Sequence, residues 1–246
     1  MRYSRSSYSR ASFNWYFPPG VKWLLIINTA VYLLYYLGGP AVRSHAIVLF
    51  ALSAEAAIRN FMVWQLFTYM FLHGGITHLL FNMLTLWMFG AMLEQDWGTR
   101  RFLKFYFFCG IMAGVCVLAV NALVGDWGTP TIGSSGAIFG LLMAYGVLYP
   151  NQTVLMNFLF PIKAKYMVMI YGAIELLLTF GPNSGLSTIA HLGGMLFGYI
   201  YLKGRLPAVR LDGARSAYRQ WKIDRAKKKF QVYMRKHGRG RDPWVN

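Results

Sequence analysis

The stretch Gly133-Ser134-Ser135-Gly136 precedes a long apolar run from Ala137 to Tyr149. Small residues before such a run predict a tight turn followed by a helix, with a serine hydroxyl at the helix start. Free backbone N–H groups at that point also attract an anion. A serine that caps the helix is the ordinary interpretation, and the rest of the chain decides between that role and a chemical one.

Composition indicates that this run lies in a membrane. Of the 246 residues, 56% are hydrophobic and only 13% are charged, which is typical of integral membrane proteins and excludes an ordinary soluble domain. Five further apolar runs predict an all-α polytopic fold, in which the shorter helices begin below the membrane surface inside a bundle. The six predicted spans are Val21–Leu37, Ile76–Leu93, Phe102–Val124, Ser135–Tyr149, Met167–Phe180 and Thr188–Leu202.

A signal peptide is the alternative for the first run, but Gly38-Gly39-Pro40 is a poor cleavage site. The segment from Ala41 to Gly75 is long, aromatic and interrupted by polar residues, so it leaves no clean apolar run of about 18 residues. We therefore predict interfacial helices that lie on or partly in the bilayer, with a seventh span as the alternative. The interrupting residues are Arg43, Glu55, Arg59, Asn60 and Gln65.

The basic residues predict the orientation. With the N-terminus inside the cell, all of the 25 Lys and Arg residues except Arg43 and Arg59 lie on cytoplasmic segments. The positive-inside rule then places both termini in the cytoplasm, and we expect the protein in the cell membrane. The predicted organisation is a cytoplasmic segment over residues 1–20, a six-helix membrane domain over residues 21–203 and a basic cytoplasmic tail over residues 204–246.

The basic tail carries aromatic residues at near-helical intervals, at Tyr218, Trp221, Phe230 and Tyr233. This pattern fits an amphipathic helix on anionic lipid headgroups. A nucleic-acid or ribosome contact would use the same charges and is the less favoured alternative. A topology anchor without a partner is the simplest interpretation.

Spans two, four and six all begin at the non-cytoplasmic side, and each carries polar residues near that end. His78 and Asn82 are four residues apart and share one face of span two. Ser135 opens span four, and His191 lies near the start of span six. These groups lie within roughly 10 Å of one membrane face. Polar side chains at membrane depth mark functional sites by default, whereas a single histidine also fits a hydrogen-bonded core position.

The chemistry that these residue types share is acyl transfer. That reaction needs a nucleophile, a base that takes its proton and donors for the oxyanion. Ser135 and His191 fit the first two roles. His78, Asn82 and the backbone N–H of Ser135 fit the third.

The neighbours of Ser135 complete this prediction. Gly133 and Gly136 leave room for a substrate backbone to approach the hydroxyl. No acidic residue lies at a matching depth on spans two, four or six, so we predict a Ser–His dyad and expect neither a metal nor a cofactor. Glu175 on span five is the only acidic residue deep in a span. We expect a structural hydrogen bond from it inside the bundle, with a role in gating as the alternative.

Three motifs, in this order, resemble those of the rhomboid intramembrane serine proteases, and the resemblance extends from Val21 to Lys203. It implies a six-helix bundle that cleaves the transmembrane segment of a membrane-protein substrate near its outer end. It also implies that the substrate enters from the lipid beside spans two and five. The motifs are His73-xxxx-His78-xxx-Asn82, Gly133-x-Ser135-Gly136 and Ala190-His191-xx-Gly194-xxx-Gly198.

The same resemblance assigns supporting positions. Gly194 and Gly198 look like the close-packing glycines of the family, between spans four and six. His73 looks like a support or substrate-binding residue. Glu94 and Gly98, just after span two, look like structural loop contacts.

Two positions depart from the family pattern. The usual Trp-Arg of the first loop is Trp64-Gln65 here, and the tyrosine that many members have four residues after the serine is Phe139. We expect Phe139 to stack on the base without supplying a hydroxyl. Two other classes of protein stay open: a catalytically silent rhomboid-like protein that binds membrane clients, and a small polytopic transporter. The intact dyad disfavours the first, and the lack of evident inverted repeats disfavours the second.

Overall fold

The computed structural model describes residues 17–156, 160–180, 185 and 187–204. The chain divides into two compact units, Met1–Tyr199 and Ile200–Asn246. The predicted site and spans lie in the first unit, apart from the last residues of span six. Most of the N-terminal segment and nearly all of the basic tail lie outside the described residues, so their assigned roles stay predictions.

Helices make up most of the described chain. In chain order they are α1 (Pro19–Leu37), α2 (Gly39–Phe50), α3 (Gln65–Thr68), α4 (Ile76–Thr85), α5 (Ala91–Trp97), α6 (Thr99–Val124), α7 (Ser135–Leu148), α8 (Ala164–Thr179) and α9 (residues 187–204). A π-helical turn covers Glu55–Arg59 and a 3₁₀ turn covers Tyr69–Phe71. A second π-helical segment, Leu86–Gly90, joins α4 to α5.

Three of the described helices are long and apolar enough to cross a membrane. They are α1 with 19 residues, the continuous helix Ile76–Trp97 with 22 and α6 with 26. Apolar side chains point outward from them, with Leu34 74% and Leu123 86% exposed. Such a surface suits lipid and not water. The structure therefore agrees with a helical membrane protein, while the count of six spans stays a prediction.

A two-stranded antiparallel hairpin connects α7 to α8 and departs from the predicted all-α fold. Strand β1 (Thr153–Met156) pairs with β2 (Phe160–Lys163), with Thr153 opposite Lys163 and Val154 opposite Ile162. The sequence predicts no helix or strand between Tyr149 and Met167, where each apolar stretch is too short to show a periodicity.

Helix α7 is largely buried among other helices. Nine of its 14 residues are buried, and it contacts α4, α6 and α8. Apolar residues occur all around the helix, as expected where no face meets water. Its first residue is Ser135, so the turn that precedes α7 brings a polar group into an otherwise apolar interior.

Glycines allow α7 and α9 to approach each other closely. A methyl group at Gly194 would overlap the carbonyl oxygen of Gly136, and one at Gly198 would lie 3.1 Å from the carbonyl oxygen of Gly140. Each helix thus carries two glycines four residues apart on the facing side, which is the small-xxx-small arrangement of membrane helix pairs. This contact sets the distance between the starts of the two helices.

Glu94 fastens the start of α1 to α5. Its carboxylate oxygens accept the backbone N–H groups of Gly20 and Val21, both at 2.7 Å, and the Thr99 hydroxyl at 2.6 Å. The first N–H groups of a helix lack partners within the helix, and the helix dipole favours a negative charge there. The Glu94 side chain, only 3% exposed, therefore caps α1 from a distant part of the chain.

The segment between α2 and α4 holds the turn that precedes α7. Leu52 and Thr131 exchange two backbone hydrogen bonds, with N–H to oxygen distances of 3.0 and 2.8 Å. The backbone N–H of Gly133 donates to the carbonyl of Tyr69 at 2.9 Å. The loop before Ser135 is thus fixed by backbone contacts.

Gln65, at one departure from the family pattern, is fully buried in this segment. Its side-chain amide accepts the backbone N–H of Ser53 at 3.2 Å and donates to the carbonyl of Val48 at 3.1 Å. A neutral amide thus ties together the chain on either side of the π-helical turn. Where this segment lies relative to the bilayer stays a prediction.

Candidate functional site

Ser135 and His191 meet at the adjoining starts of α7 and α9. The Nε2 atom of His191 lies 2.8 Å from the Ser135 hydroxyl oxygen, at hydrogen-bond distance. The close glycine packing between the two helices allows this approach. The two residues that the sequence analysis selected from distant motifs are therefore in direct contact.

Gly133 is required both by its backbone and by its surroundings. Its φ of +118° is a conformation that residues with side chains rarely adopt. A methyl group there would lie 2.9 Å from Nε2 of His78 and 3.8 Å from the Ser135 hydroxyl oxygen. Glycine at this position therefore lets the His78 ring lie close to the turn, while room for a substrate backbone beside the hydroxyl stays a prediction.

Gly136 differs from that expectation. A methyl group on it would lie 2.6 Å from Cβ of Ala113 and 3.2 Å from the carbonyl oxygen of Ala190. The space beside Gly136 is therefore occupied by α6 and α9 and is closed to a substrate. Its small size serves helix packing, together with Gly194.

The side-chain amide of Asn82 is a hydrogen-bond donor without an acceptor among the described residues. The residue is only 6% exposed, and its amide nitrogen makes no hydrogen bond within the described part of the chain. A buried donor without an acceptor costs about 1–3 kcal/mol, so it needs an explanation such as a ligand that supplies the acceptor. The predicted oxyanion role would supply one.

His78 lies one turn before Asn82 on α4. Its Nδ1 accepts the backbone N–H of Gly74 at 3.4 Å, which favours the neutral tautomer with the proton on Nε2. That second nitrogen is the atom that lies beside Gly133. His78 thus presents an N–H donor on the same side of the turn as the Ser135 hydroxyl.

A cavity of about 790 Å³ opens beside these groups. Ser135, His191, His78 and Asn82 line it, and most of the other lining residues are apolar or aromatic. They come from α4, the π-helical segment Leu86–Gly90, α7, α8 and the hairpin, and include Phe81, Phe139, Leu142, Leu155, Met167 and Tyr171. An apolar cavity with a few convergent polar groups is the usual form of a binding site.

Phe139 covers one face of His191. The two rings are stacked, with centroids 4.1 Å apart and planes inclined by 10°. Phe139 follows Ser135 by four residues, so one turn of α7 presents both side chains to the imidazole. The stacking restrains the plane of the imidazole ring.

His73 and Ser134 form a second contact, inside the protein. The Ser134 hydroxyl oxygen lies 3.4 Å from Nε2 of His73, and both residues are 0% exposed. The His73 ring packs edge-on against His78, and its backbone N–H donates to the Tyr35 hydroxyl at 3.0 Å. Burial, together with the neighbouring His78 ring, lowers the pKa of His73 to about 4. His73 is therefore neutral at physiological pH, and its contacts are those of a support residue.

Glu175, on α8, lies against the other side of His191, although the sequence places no acidic residue at this depth on spans two, four or six. Its Oε1 lies 3.0 Å from Nδ1 of His191. Span five is not among the spans considered there. Glu175 lies on α8, about one turn before this helix ends at Thr179. His191 lies about as far from the start of α9. This matching distance from the helix ends is the signal that the sequence carried.

The described residues include no group of three or more His, Cys, Asp or Glu side chains that could hold a metal ion. The arrangement instead combines a hydroxyl, an imidazole at hydrogen-bond distance and N–H donors on the cavity wall. These are the groups that acyl transfer uses.

Comparison with known proteins decides the family. A model of the Rhomboid domain matches residues 60–207, which is more than half of the chain. The chain belongs to the rhomboid family. This confirms the family that the three motifs indicate.

Three rhomboid relatives show how far the similarity extends. "Putative rhomboid protease YdcA" of Bacillus subtilis (strain 168) is 32% identical over 187 residues, which cover 74% of this chain and 86% of that protein. "Rhomboid protease GluP" of the same organism is 31% identical over 183 residues, covering 74% of this chain but 34% of that protein. "Rhomboid-like protease 3" of Toxoplasma gondii is 27% identical over 190 residues, covering 73% and 69%. Family and apolar helices together support a membrane-embedded enzyme of the protease type.

Proposed function

We propose that this rhomboid is an intramembrane serine endopeptidase that cleaves transmembrane segments of membrane-protein substrates near their outer end. The 2.8 Å contact between His191 Nε2 and the Ser135 hydroxyl, on the wall of the cavity, carries the proposal. A serine hydroxyl is a weak nucleophile, and a histidine within hydrogen-bond reach activates it.

The reaction follows the general course of serine acyl transfer. His191 takes the Ser135 proton as the hydroxyl oxygen attacks the carbonyl carbon of the scissile peptide bond. His191 then gives this proton to the leaving amine, and the acyl group stays on Ser135. Water attacks that ester with His191 again as the base, which releases the second product and restores the serine.

The oxyanion of the tetrahedral intermediate needs donors that are already in place. The unpartnered amide of Asn82 and the Nε2 proton of His78 point to that role. The backbone N–H of Ser135, at the first residue of α7, is a third donor. Donors fixed in a cavity with little water stabilise charge more strongly than donors in solution.

The cavity wall fits an extended piece of a transmembrane segment. Phe81 and Thr85 of α4 and Met167 and Tyr171 of α8 line it, so a substrate that enters from lipid beside these helices meets mainly apolar side chains.

We place both termini in the cytoplasm of a cell-membrane protein and assign the basic tail to anionic lipid headgroups. Reporter fusions at residues 41–44 and 126–129 test this topology, because both should report the outside.

The deciding experiment combines a chemical label with cleavage. Purified protein should react with a serine-directed fluorophosphonate and cleave a single-span substrate that carries a small residue near its outer membrane boundary. The folded Ser135→Ala protein should do neither. A folded wild-type protein without label or cleavage would favour the client-binding alternative.

A further inference from the structure

We propose that Glu175 is a positioning residue for His191, whose carboxylate holds the imidazole in the tautomer and orientation that receive the Ser135 proton. This role rests on the proposed function, in which His191 is the base. It extends the predicted Ser–His pair to a unit of three residues, the third of which comes from α8.

The two ring nitrogens of His191 have different neighbours. Nε2 faces the Ser135 hydroxyl at 2.8 Å, and Nδ1 faces Oε1 of Glu175 at 3.0 Å. A neutral imidazole carries one N–H and one lone pair. The carboxylate accepts but does not donate, so it favours the proton on Nδ1. The lone pair of Nε2 then points toward Ser135, as a base requires.

The contact is at ion-pair distance but is not yet an aligned hydrogen bond. Nδ1 of His191 forms no hydrogen bond of good geometry with any described residue, so Glu175 has no competitor there within the described chain. Contacts of this kind are often poorly aligned in a free enzyme and tighten when the substrate is bound.

Phe139 and Glu175 restrain different motions of the imidazole. The stacked Phe139 ring fixes the plane of His191, but stacking alone also allows the ring turned by 180° about its Cβ–Cγ bond, which would place a carbon atom where each nitrogen lies. A carboxylate at one edge removes this ambiguity, because only one orientation places Nδ1 beside it. The two contacts together define one arrangement of the base.

Burial makes the carboxylate effective. The side chains of His191 and Glu175 are 16% and 13% exposed, and charges interact more strongly where little water is present. When His191 takes the Ser135 proton it becomes a cation, and the adjacent carboxylate stabilises that cation. Among the described residues, the other titratable groups that face this cluster are His78 from α4 and Tyr171, one turn before Glu175 on α8.

The test measures the rate constant of fluorophosphonate labelling at Ser135 over a range of pH, for the wild type and for Glu175→Gln, Glu175→Leu and Glu175→Asp. Glu175→Leu, which removes charge and acceptor, should lower the rate at pH 7.5 by about 10²-fold, within the range of general-base effects. Glu175→Gln keeps an acceptor and should lose less. Glu175→Asp keeps the charge and should recover most of the rate.

The pH dependence separates positioning from a structural role. The carboxylate stabilises the imidazolium that forms when His191 takes the proton, so its removal should change the acid limb of the labelling profile in Glu175→Gln. The KM for substrate should stay nearly constant, because Glu175 is not among the residues that line the cavity. Glu94→Gln is the matched control: it removes the buried carboxylate of α5 that caps α1, and it should lower stability without moving the pH profile.

The outcomes are distinct. Wild-type rate and an unmoved acid limb in folded Glu175→Gln would overturn the positioning role and leave the proposed function standing. Rate losses that follow thermal stability, with no change in the pH profile, would also overturn it. A wild-type protein that is not labelled would remove the proposed function itself. If Glu175→Leu does not fold, the near-isosteric Glu175→Gln decides.

Discussion

Two serine–histidine contacts lie next to each other in this protein, and they differ in almost every other respect. Ser135 and His191 are 2.8 Å apart on the wall of a cavity, with a carboxylate behind the imidazole. Ser134 and His73 are 3.4 Å apart and have no exposed surface. A serine near a histidine is therefore no sign of a reactive centre by itself.

The surroundings make the difference between the two pairs. Ser134 and Ser135 are neighbours at a helix start, where successive side chains point about 100° apart, so one hydroxyl faces the protein interior and the other the cavity. The outer pair, Ser135 and His191, also has N–H donors beside it and an open cavity. The inner pair, Ser134 and His73, has packed neighbours, which suits it to hold the turn in place.

The largest effect on cleavage is expected from substitutions in the outer pair. Ser135→Ala and His191→Ala should each remove nearly all cleavage, and the double variant should be little worse than either, because residues that act as a unit are strongly non-additive. Cleavage of a single-span substrate, with folding checked for each variant, measures this. If the fold-losses in rate of the two single variants multiply in the double variant, the two residues act independently.

The next largest effect is expected when a hydrogen-bond donor beside the outer pair is removed. Asn82→Ala should lower the cleavage rate by about 10²–10³-fold while the remaining donors persist. Asn28→Ala is the matched control, because Asn28 is a buried amide in α1 that bonds the Leu24 carbonyl. It should affect stability and leave the rate per folded molecule unchanged. Equal rates for Asn82→Ala and the wild type would exclude the oxyanion role.

Substitutions in the inner pair should change the stability of the fold and leave the cleavage rate unchanged. His73 has a folded pKa of about 4, below its ordinary value of 6.5, so the unfolded chain binds more protons between these values. The contribution of neutral His73 to the free energy of unfolding is fully present above pH 6.5. It is lost as the pH falls toward 4, by on the order of 3 kcal/mol in total. Thermal unfolding in detergent should show a weaker pH slope in His73→Gln. An identical slope would contradict the buried, neutral state.

The smallest expected effect belongs to Ser134. Ser134→Ala should keep its activity and lose about 1 kcal/mol of stability, the usual worth of one hydrogen bond. Labelling and cleavage are measured beside Ser135→Ala, which differs only in which neighbour is changed. Loss of labelling in folded Ser134→Ala alone would mean that the reactive serine has been assigned wrongly.

The sequence predicted the helices and the contact between Ser135 and His191 for simple physical reasons, whereas the count of six spans stays a prediction. Long apolar runs mark helices because lipid leaves no partner for backbone groups outside them. The run predicted from Ser135 to Tyr149 is the helix Ser135–Leu148. Polar groups near matching helix ends brought Ser135 and His191 together, because depth follows from helix geometry.

Features that depend on packing were beyond the sequence. Gly136 fills a helix contact, and only the positions of Ala113 and Ala190 reveal this. The partner of Glu175 depends on how α8 rotates against α9, which no pattern within α8 specifies. The hairpin between α7 and α8 arises from pairing between segments that are individually too short for a periodicity.

The Glu94 cap also has a consequence for the order in which the protein is made. Gly20 precedes its carboxylate partner by 74 residues, so all of α1 leaves the ribosome well before residue 94 is synthesised. During that interval the first N–H groups of α1 must bond to water or headgroups at the membrane surface. The final position of α1 is thus fixed by a part of the chain that is made later, and the start of α1 gains its cap only after α4 and α5 have been synthesised.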